Sequence, residues 1–516
     1  MNVIWYKRDI RIYDHEPLAK ATASKSPVLP LYVLEPSVWQ AGDLSQRHLQ
    51  FVIESLYELQ TQLQKRGATL FVAVGEMEEV LEALEATYGD FTLFSHEENG
   101  TPFTFERDKR VLRWMRERGH VMAEYQGYGV TRRLKSRDDF QKLYQIHVQS
   151  PVHPAPKQIL SADPDEIPDL LTTDLRMLER YAAPGERIRY GQQGGEKLAH
   201  ETLKTFLEER FETYNVHISK PMASSTSCSR LSPYIAWGNI SIRYIYQQSI
   251  KQMAQVKNAF HRRQLEGFLS RLHWHCHFIQ RLEDEPEIAH ETINPAFDAA
   301  RTEWNEESYQ RWLNGQTGIP LIDAAMRCLH KTGWVNFRSR AMVVSFVCNT
   351  LLLDWRRPSE DLAMLFLDYE PGIHFSQMQM QAGTTGFNTI RIYNPIKQGK
   401  DHDADGRFIR RFVPELKDLP TEFVHEPWKS PSFDDLGYPA PMVDVSQANG
   451  VARKVLWGIK ATPEAEEHAM KKLEKHGSRK RQHQQKRDSA KTKKTTRSKK
   501  AKNEPEQLSL FGDDWE

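Results

Sequence analysis

The residues best placed to do chemistry lie between positions 312 and 395. There, interior-type helical sequence, almost continuously apolar over 341–353, is entered by Arg338 and Arg340 and followed by Asp354 and Asp368. A buried charge is tolerated only when paired or bound to a ligand, so this cluster is either a structural ion-pair network or a cofactor cradle. A second group surrounds Tyr214 and the run 224–236, which contains Cys228, Ser229, Arg230, Leu231 and Ser232 ahead of Pro233. Ser232 reads as an N-cap with proline in the first turn. The free N–H groups there, with the hydroxyls of Ser229 and Ser232, either hold a phosphate or simply cap a helix. A third group is RLHWHCHF, from Arg271 through Trp274 and His275. His273 and His277 lie four apart beside Cys276, but no acid or second ligand motif is near, and no metal is assigned.

Several spaced segments carry a resemblance. TGIPLIDAAMRCL, GWVNFRSRAM, LLLDWR, LDYE and IRIYNP, with WYKRDIRIYDH at the N-terminus and PEL and EPW near Trp428, resemble the photolyase/cryptochrome family. The resemblance implies FAD in a hollow of the C-terminal helices, with Arg340 and Asp368 as an ion pair beside the flavin ring. It places Tyr214 and 228–232 at the pyrophosphate, with Cys228 where many relatives have Thr. Trp274 implies contact with the cavity over the flavin. Glu370 falls where relatives often have Asp, and His374 falls at the residue facing flavin N5, commonly Asn. Arg271 stands where cyclobutane-dimer photolyases usually have Glu, and His275 replaces a usual Arg. A guanidinium only donates hydrogen bonds, so the substrate contacts differ from those of the best-known class. Trp304 and Trp355 match the outer members of the family's tryptophan chain, whereas the innermost position is Met378 and a cavity Trp is replaced by Met380. Phe375 or Tyr393 could take the missing aromatic's place. The bland reading of each Trp is core packing.

These residues need elements to hold them. Residues 1–130 alternate apolar runs such as NVIWY, PVLPLYVLE, ATLFVAVG and FTLFSH with helical stretches, which predicts an α/β doubly wound domain. The run from Trp5 to Arg11 resembles the family's opening motif, and Arg8 and Asp9 read either as part of it or as ordinary loop charges capping the sheet. No GxGxxG follows the first strand, and the resemblance implies instead an antenna chromophore of folate or deazaflavin type. Residues 131–198, rich in Pro and polar residues, read as a connector. Residues 199–465 are helical throughout, an all-α FAD-binding domain. Asp401, Asp403 and Asp405 mimic part of a calcium loop but lack its terminal Glu, and read as a surface turn.

At 516 residues the chain is too long for one core, and 39% hydrophobic content suffices to bury two. Four dispersed cysteines argue for a reducing compartment. Charges in MNVIWYKRDIR exclude a signal peptide, and no 18-residue apolar run exists, so a cytoplasmic protein is expected. Residues 466–503 form a basic tail, with fifteen Lys or Arg against two acids over 471–502, and read as disordered and attracted to polyanions such as DNA. The acidic end, 504–516, contains Gln507, Leu508, Leu510 and Phe511. Apolar side chains there gain nothing unless a partner buries them, and QLSLF is similar to the motif that docks bacterial repair proteins on the sliding clamp. The reading is a blue-light-driven FAD photolyase acting on pyrimidine photoproducts in DNA. The rivals are a cryptochrome-type photoreceptor without repair and a clamp-associated DNA-binding protein with a structural flavin.

Overall fold

The fold is that of a computed structural model that describes residues 1–476; the tail and the QLSLF segment lie outside the described residues. Five strands, β1 (Asn2–Tyr6), β2 (Val28–Leu34), β3 (Phe71–Val74), β4 (Thr92–His96) and β5 (Val121–Tyr125), form one parallel sheet in the order β3-β2-β1-β4-β5. Strands β1 and β2 are apolar on both faces because helices cover the sheet on each side, as parallel sheets require. The chain winds outward in both directions from β1, so a topological switch point opens between β1 and β4 at their C-terminal ends.

The remaining described chain is helical. The long helix Ala259–Asp284 packs against Pro371–Ala382, and Gly372 makes this possible: a Cβ there would lie 2.5 Å from the Ile279 Cα. Helix Pro320–Thr332 is fixed at its start by Asp323, whose carboxylate accepts from the Thr317 and Gly318 amides and the Tyr438 hydroxyl. Helix Phe337–Ser345 continues into a π turn at Phe346–Thr350, and helix Arg356–Leu365 lies between it and Pro371–Ala382 in sequence. Helices Val445–Lys460 and Pro463–His476 close the body, so helical structure runs past the expected boundary at 465. Lys472 anchors the last helix on buried Glu285 at 2.7 Å.

The two parts of the chain meet tightly. Gly238 has φ +69°, and a Cβ there would lie 2.2 Å from the Arg8 carbonyl oxygen. Arg8 and Asp9 are not ordinary loop charges. Arg8 donates to the carbonyls of Ala236 and Tyr369 in the helical part, and Asp9 is buried. Of the two readings, the loop-charge one fails, because their partners are remote in sequence. Among the described residues no helix is long and apolar enough to cross a membrane.

Candidate functional site

Arg340 and Asp368 do meet. One guanidinium nitrogen lies 2.7 and 2.6 Å from the two carboxylate oxygens, and the Asp368 side chain is only 3% exposed. The Arg340 guanidinium also lies over the Phe366 ring at 4.1 Å and donates to the Val335 carbonyl. Arg338, two residues away, is turned by about 200° around the helix and belongs to another surface.

Arg230 and Arg271 reach the same region. Arg230 adopts φ +60°, a left-handed conformation that costs a non-glycine residue about 1–2 kcal/mol and is maintained only by its surroundings. Those surroundings are Gln192, which donates to the Arg230 carbonyl at 2.8 Å, and Arg210, whose guanidinium donates to the carbonyls of Cys228 and Ser229. Pinning the carbonyls on Arg210 leaves the other side of the loop to side chains and amides. The Arg230 guanidinium stacks on Trp334 at 3.7 Å, has no ion-pair partner among the described residues, and is pushed by burial to a pKa of about 10. Burial also lowers the pKa of Arg271, which hydrogen-bonds Tyr214 and lies within electrostatic reach of Cys228. The Cys228 thiol is pushed up by burial to about 12 and stays neutral. Ser232 is the first residue of its short helix rather than its N-cap; Leu231, just after left-handed Arg230, takes that position, so the helix starts one residue earlier than expected. The Ser232 hydroxyl bonds to no described residue and remains available.

His374 is buried within electrostatic reach of Arg340 and Asp368. Its Nε2 donates to the Ser359 carbonyl at 2.8 Å, and burial lowers its pKa to about 4. The ring is therefore neutral near pH 7, with Nδ1 left as an acceptor. A proton-passing imidazolium at this position is not what the structure supports. Trp274 packs on His277 and Phe278. Trp355 is buried with its indole N–H on Thr292, whereas Trp304 is 39% exposed and donates to Glu306. Trp304 contacts Tyr309, and Tyr309 contacts Trp312. Met378 is buried in the core, Phe375 packs on Tyr369 and His374, and Tyr393 sits instead beside Arg338.

Two expected site residues turn toward the α/β domain. His275 packs on Tyr128 and lies within electrostatic reach of Arg8. Glu370, buried opposite Arg8, is raised by burial to about 7. Glu370, Tyr128, Arg8, Lys7, His96 and Glu98 line a hollow of about 40 Å³ at the switch point. Around it Lys7 pairs with Asp108, and Arg107 with Glu35, Glu98 and Asp108. A folate or deazaflavin in that crevice would have to displace this network, since ligand pockets span about 300–1,000 Å³.

Asp9, His15 and His96 cluster tightly enough to suggest a metal. Their hydrogen bonds assign another role. His15 Nδ1 accepts from the Leu18 amide at 3.1 Å, so its Nε2 carries the proton and donates to Asp9 at 2.9 Å, while His96 Nδ1 donates to the same oxygen at 2.6 Å. Neither nitrogen facing Asp9 has a lone pair for an ion. Asp403 is likewise occupied: buried at the start of a turn closed by the Gly406 amide on its carbonyl at 2.7 Å, with Ala404 and Asp405 exposed, its carboxylate accepts from the Phe408 and Ile409 amides.

The lining residues suit FAD. Two desolvated guanidiniums, Arg230 and Arg271, beside the available Ser232 hydroxyl fit a diphosphate, and the Arg340–Asp368 pair offers both a donor and an acceptor for a flavin ring. Comparison with known proteins agrees. Residues 2–148 match the family model described as DNA photolyase, and residues 268–458 match that described as the FAD binding domain of DNA photolyase. A deoxyribodipyrimidine photo-lyase of Vibrio cholerae is 27% identical over 492 residues, covering 88% of this chain and 99% of that protein. Cryptochrome DASH of Gloeobacter violaceus is 27% identical over 481 residues, covering 86% and 93%. The crystal structure of the Synechocystis sp. PCC6803 cryptochrome superposes with a TM-score of 0.77 at 24% identity over 88% of this chain and 99% of that one, which speaks to fold alone. Fold, cofactor cradle and matched family models together place this chain in the photolyase/cryptochrome family.

Proposed function

We propose that this chain is a FAD-dependent, blue-light-driven lyase that repairs pyrimidine photoproducts in DNA. The observation that carries the reading is the Arg340–Asp368 pair facing a cationic cradle in a chain similar to photo-lyases along both domains. When bound and reduced, FAD supplies the photoexcited electron that splits the lesion and is returned afterwards. The protein's own groups bind, orient and exclude water. Arg230, Arg271 and Ser232 hold the diphosphate, and Arg340, itself fixed by Asp368 and Val335, directs a guanidinium N–H at the ring. Neutral His374, anchored through Nε2 on Ser359, offers Nδ1 as an acceptor at the ring edge. Trp274 supplies an aromatic wall for an extruded base, and Arg271 on the same helix is committed to Tyr214.

The test is illumination of the reduced protein with DNA bearing a cyclobutane dimer or a (6-4) product, followed by product analysis. Restoration of either lesion to pyrimidines is expected. Failure on both, with flavin bound and photoactive, would favour a photoreceptor, the reading supported by Arg271, His275, Met378 and Met380. In that case Trp304 and Trp355 serve signalling rather than repair.

A second partner rests on sequence alone. Gln507, Leu508, Leu510 and Phe511, behind a basic tether, suit a sliding-clamp groove. Replacing Leu510 and Phe511 by Ala should abolish clamp capture and leave flavin content unchanged; retained capture discards the motif.

A further inference from the structure

The first turns of the connector are bolted along helix Ala259–Asp284. Gly129 admits the close approach: a Cβ there would lie 2.6 Å from Tyr144 Cδ2 and 3.3 Å from Cys276 Sγ. The Gln280 side chain then clamps Thr131, accepting its amide at 2.8 Å and donating to its carbonyl at 3.0 Å. Ser136 caps the turn Arg137–Asp139 by accepting the Asp138 amide at 3.3 Å, and helix Phe140–Gln149 follows directly. On that helix Tyr144 packs edge-on against His273 at 5.0 Å. Gln280, His277 and His273 lie three and four residues apart, on one face of their helix. Thr131, Arg137 and Tyr144 thus meet them in antiparallel order, with Arg137 and His277 in the middle.

Arg137 donates from Nη2 to His277 Nδ1 and spreads its guanidinium over Phe140, 4.5 Å from the ring centroid. A guanidinium is always charged and only donates, so Nδ1 is the acceptor and the imidazole is held neutral. The bond is a poor one for stability. Burial depresses the Arg137 pKa to about 10, the charges within its reach, Asp284 and Arg281, are opposite in sign, and Nη1 is enclosed with no acceptor among the described residues. A buried cation committed to a neutral ring costs more than the bond returns. What the bond does fix is the ring. His277 lies edge-on to Trp274 at 4.9 Å, and Phe140 closes on His277 at 5.9 Å and on His273 at 5.4 Å. His273 in turn reaches Trp274 at 6.2 Å. The indole is therefore backed by two imidazoles, and both are backed by the connector.

We infer that Arg137 is a positioning residue for the lesion wall: through His277 it sets the tilt of the Trp274 indole against which an extruded pyrimidine photoproduct stacks. The inference rests on the reading that Trp274 faces the damaged base, and it adds the connector to the machinery that selects the lesion. An unsupported indole samples several rotamers, and the freedom it loses on stacking weakens binding. An imidazole edge held from behind keeps the indole in one of them before DNA arrives, which is where preorganisation gains affinity. The gain applies only to a base that leaves the duplex. Arg137 therefore favours damaged over undamaged DNA without tightening the grip on either backbone.

The test measures binding of the full, flavin-loaded chain in the dark to DNA bearing a cyclobutane dimer or a (6-4) product and to the same DNA undamaged, then repair per absorbed photon at saturating DNA. Arg137→Met should reduce the preference for damaged DNA about fivefold or more, since base–aromatic stacking contributes about 5- to 150-fold, and leave undamaged binding and flavin content unchanged. His277→Phe keeps a ring edge on Trp274 but removes the acceptor, so adding Arg137→Met to it should cost nothing further. A preference that Arg137→Met leaves intact overturns the inference, as does full additivity in the double variant. So does a matching loss of flavin and of both affinities, which would mark Arg137 as a structural strut. Repair reports on the parent reading separately: absent repair with a lesion preference that depends on Arg137 sinks only the repair assignment, and intact repair with a preference indifferent to Arg137 sinks only the positioning role.

Discussion

At the scale of single residues, position 340 decides whether the cofactor is held. Arg340→Ala leaves Asp368 buried without its partner, which disfavours both the fold around it and any flavin resting there. The purified variant should carry at least tenfold less flavin per protein by visible absorbance, and normal flavin content would remove Arg340 from the cradle. Glu370 gives a pH signature. Its folded pKa, about 7, lies above the ordinary 4.5, so the folded state holds a proton that the unfolded chain releases. Its contribution is complete below pH 4.5 and is lost as pH rises through 7, roughly 3 kcal/mol in all. Glu370→Gln should flatten that part of the melting temperature's dependence on pH between 5 and 8; an identical profile would contradict the burial argument. Some of this was legible in the sequence. Arg340 and Asp368 stood out because charges inside apolar helices demand partners. The role of Arg210 was invisible, because a cation that binds only main-chain carbonyls leaves no complementary residue type to notice. Arg8 was misread for a related reason: its partners are carbonyls of residues more than two hundred positions away.

At the scale of elements, the closest helix contact is the most exacting. Ala at position 372 would put its Cβ 2.5 Å from the Ile279 Cα, an overlap that backbone must relieve. Gly372→Ala should cost about 1–3 kcal/mol and separate the helices bearing Trp274 and His374, lowering flavin retention together with melting temperature. Unaltered retention in a destabilised variant would show that the two helices position nothing. Alternation of strand-like and helix-like runs announced the parallel sheet correctly, because period and length differ between the two kinds of element. The start of the helix after Arg230 was misplaced by one residue, since nothing local in the sequence signals that an arginine will adopt left-handed backbone.

At the scale of the whole molecule, desolvation holds at least six histidines neutral near pH 7. His48, His96 and His275 are lowered to about 3, and His147, His273 and His374 to about 4. Each contributes stability that is whole above its unfolded pKa of about 6.5 and drains away as pH falls toward the folded value. Glu35 and Asp403, both raised to about 6, and Glu370 work in the opposite sense. The lowered histidines outnumber the raised acids, so unfolding near pH 5.5 should take up protons net, read from the slope of unfolding free energy against pH. Net proton release would invert the account.

Arg8 carries a consequence for anyone trimming the gene. A fragment beginning after the connector would lose the cation opposite Glu370, and the carbonyls of Ala236 and Tyr369 would lose their shared donor. The cofactor-bearing half is thus unfinished by itself, and the sheet at the N-terminus acts as its lining as much as its neighbour. Expressed separately, the two halves should recover colour only when mixed.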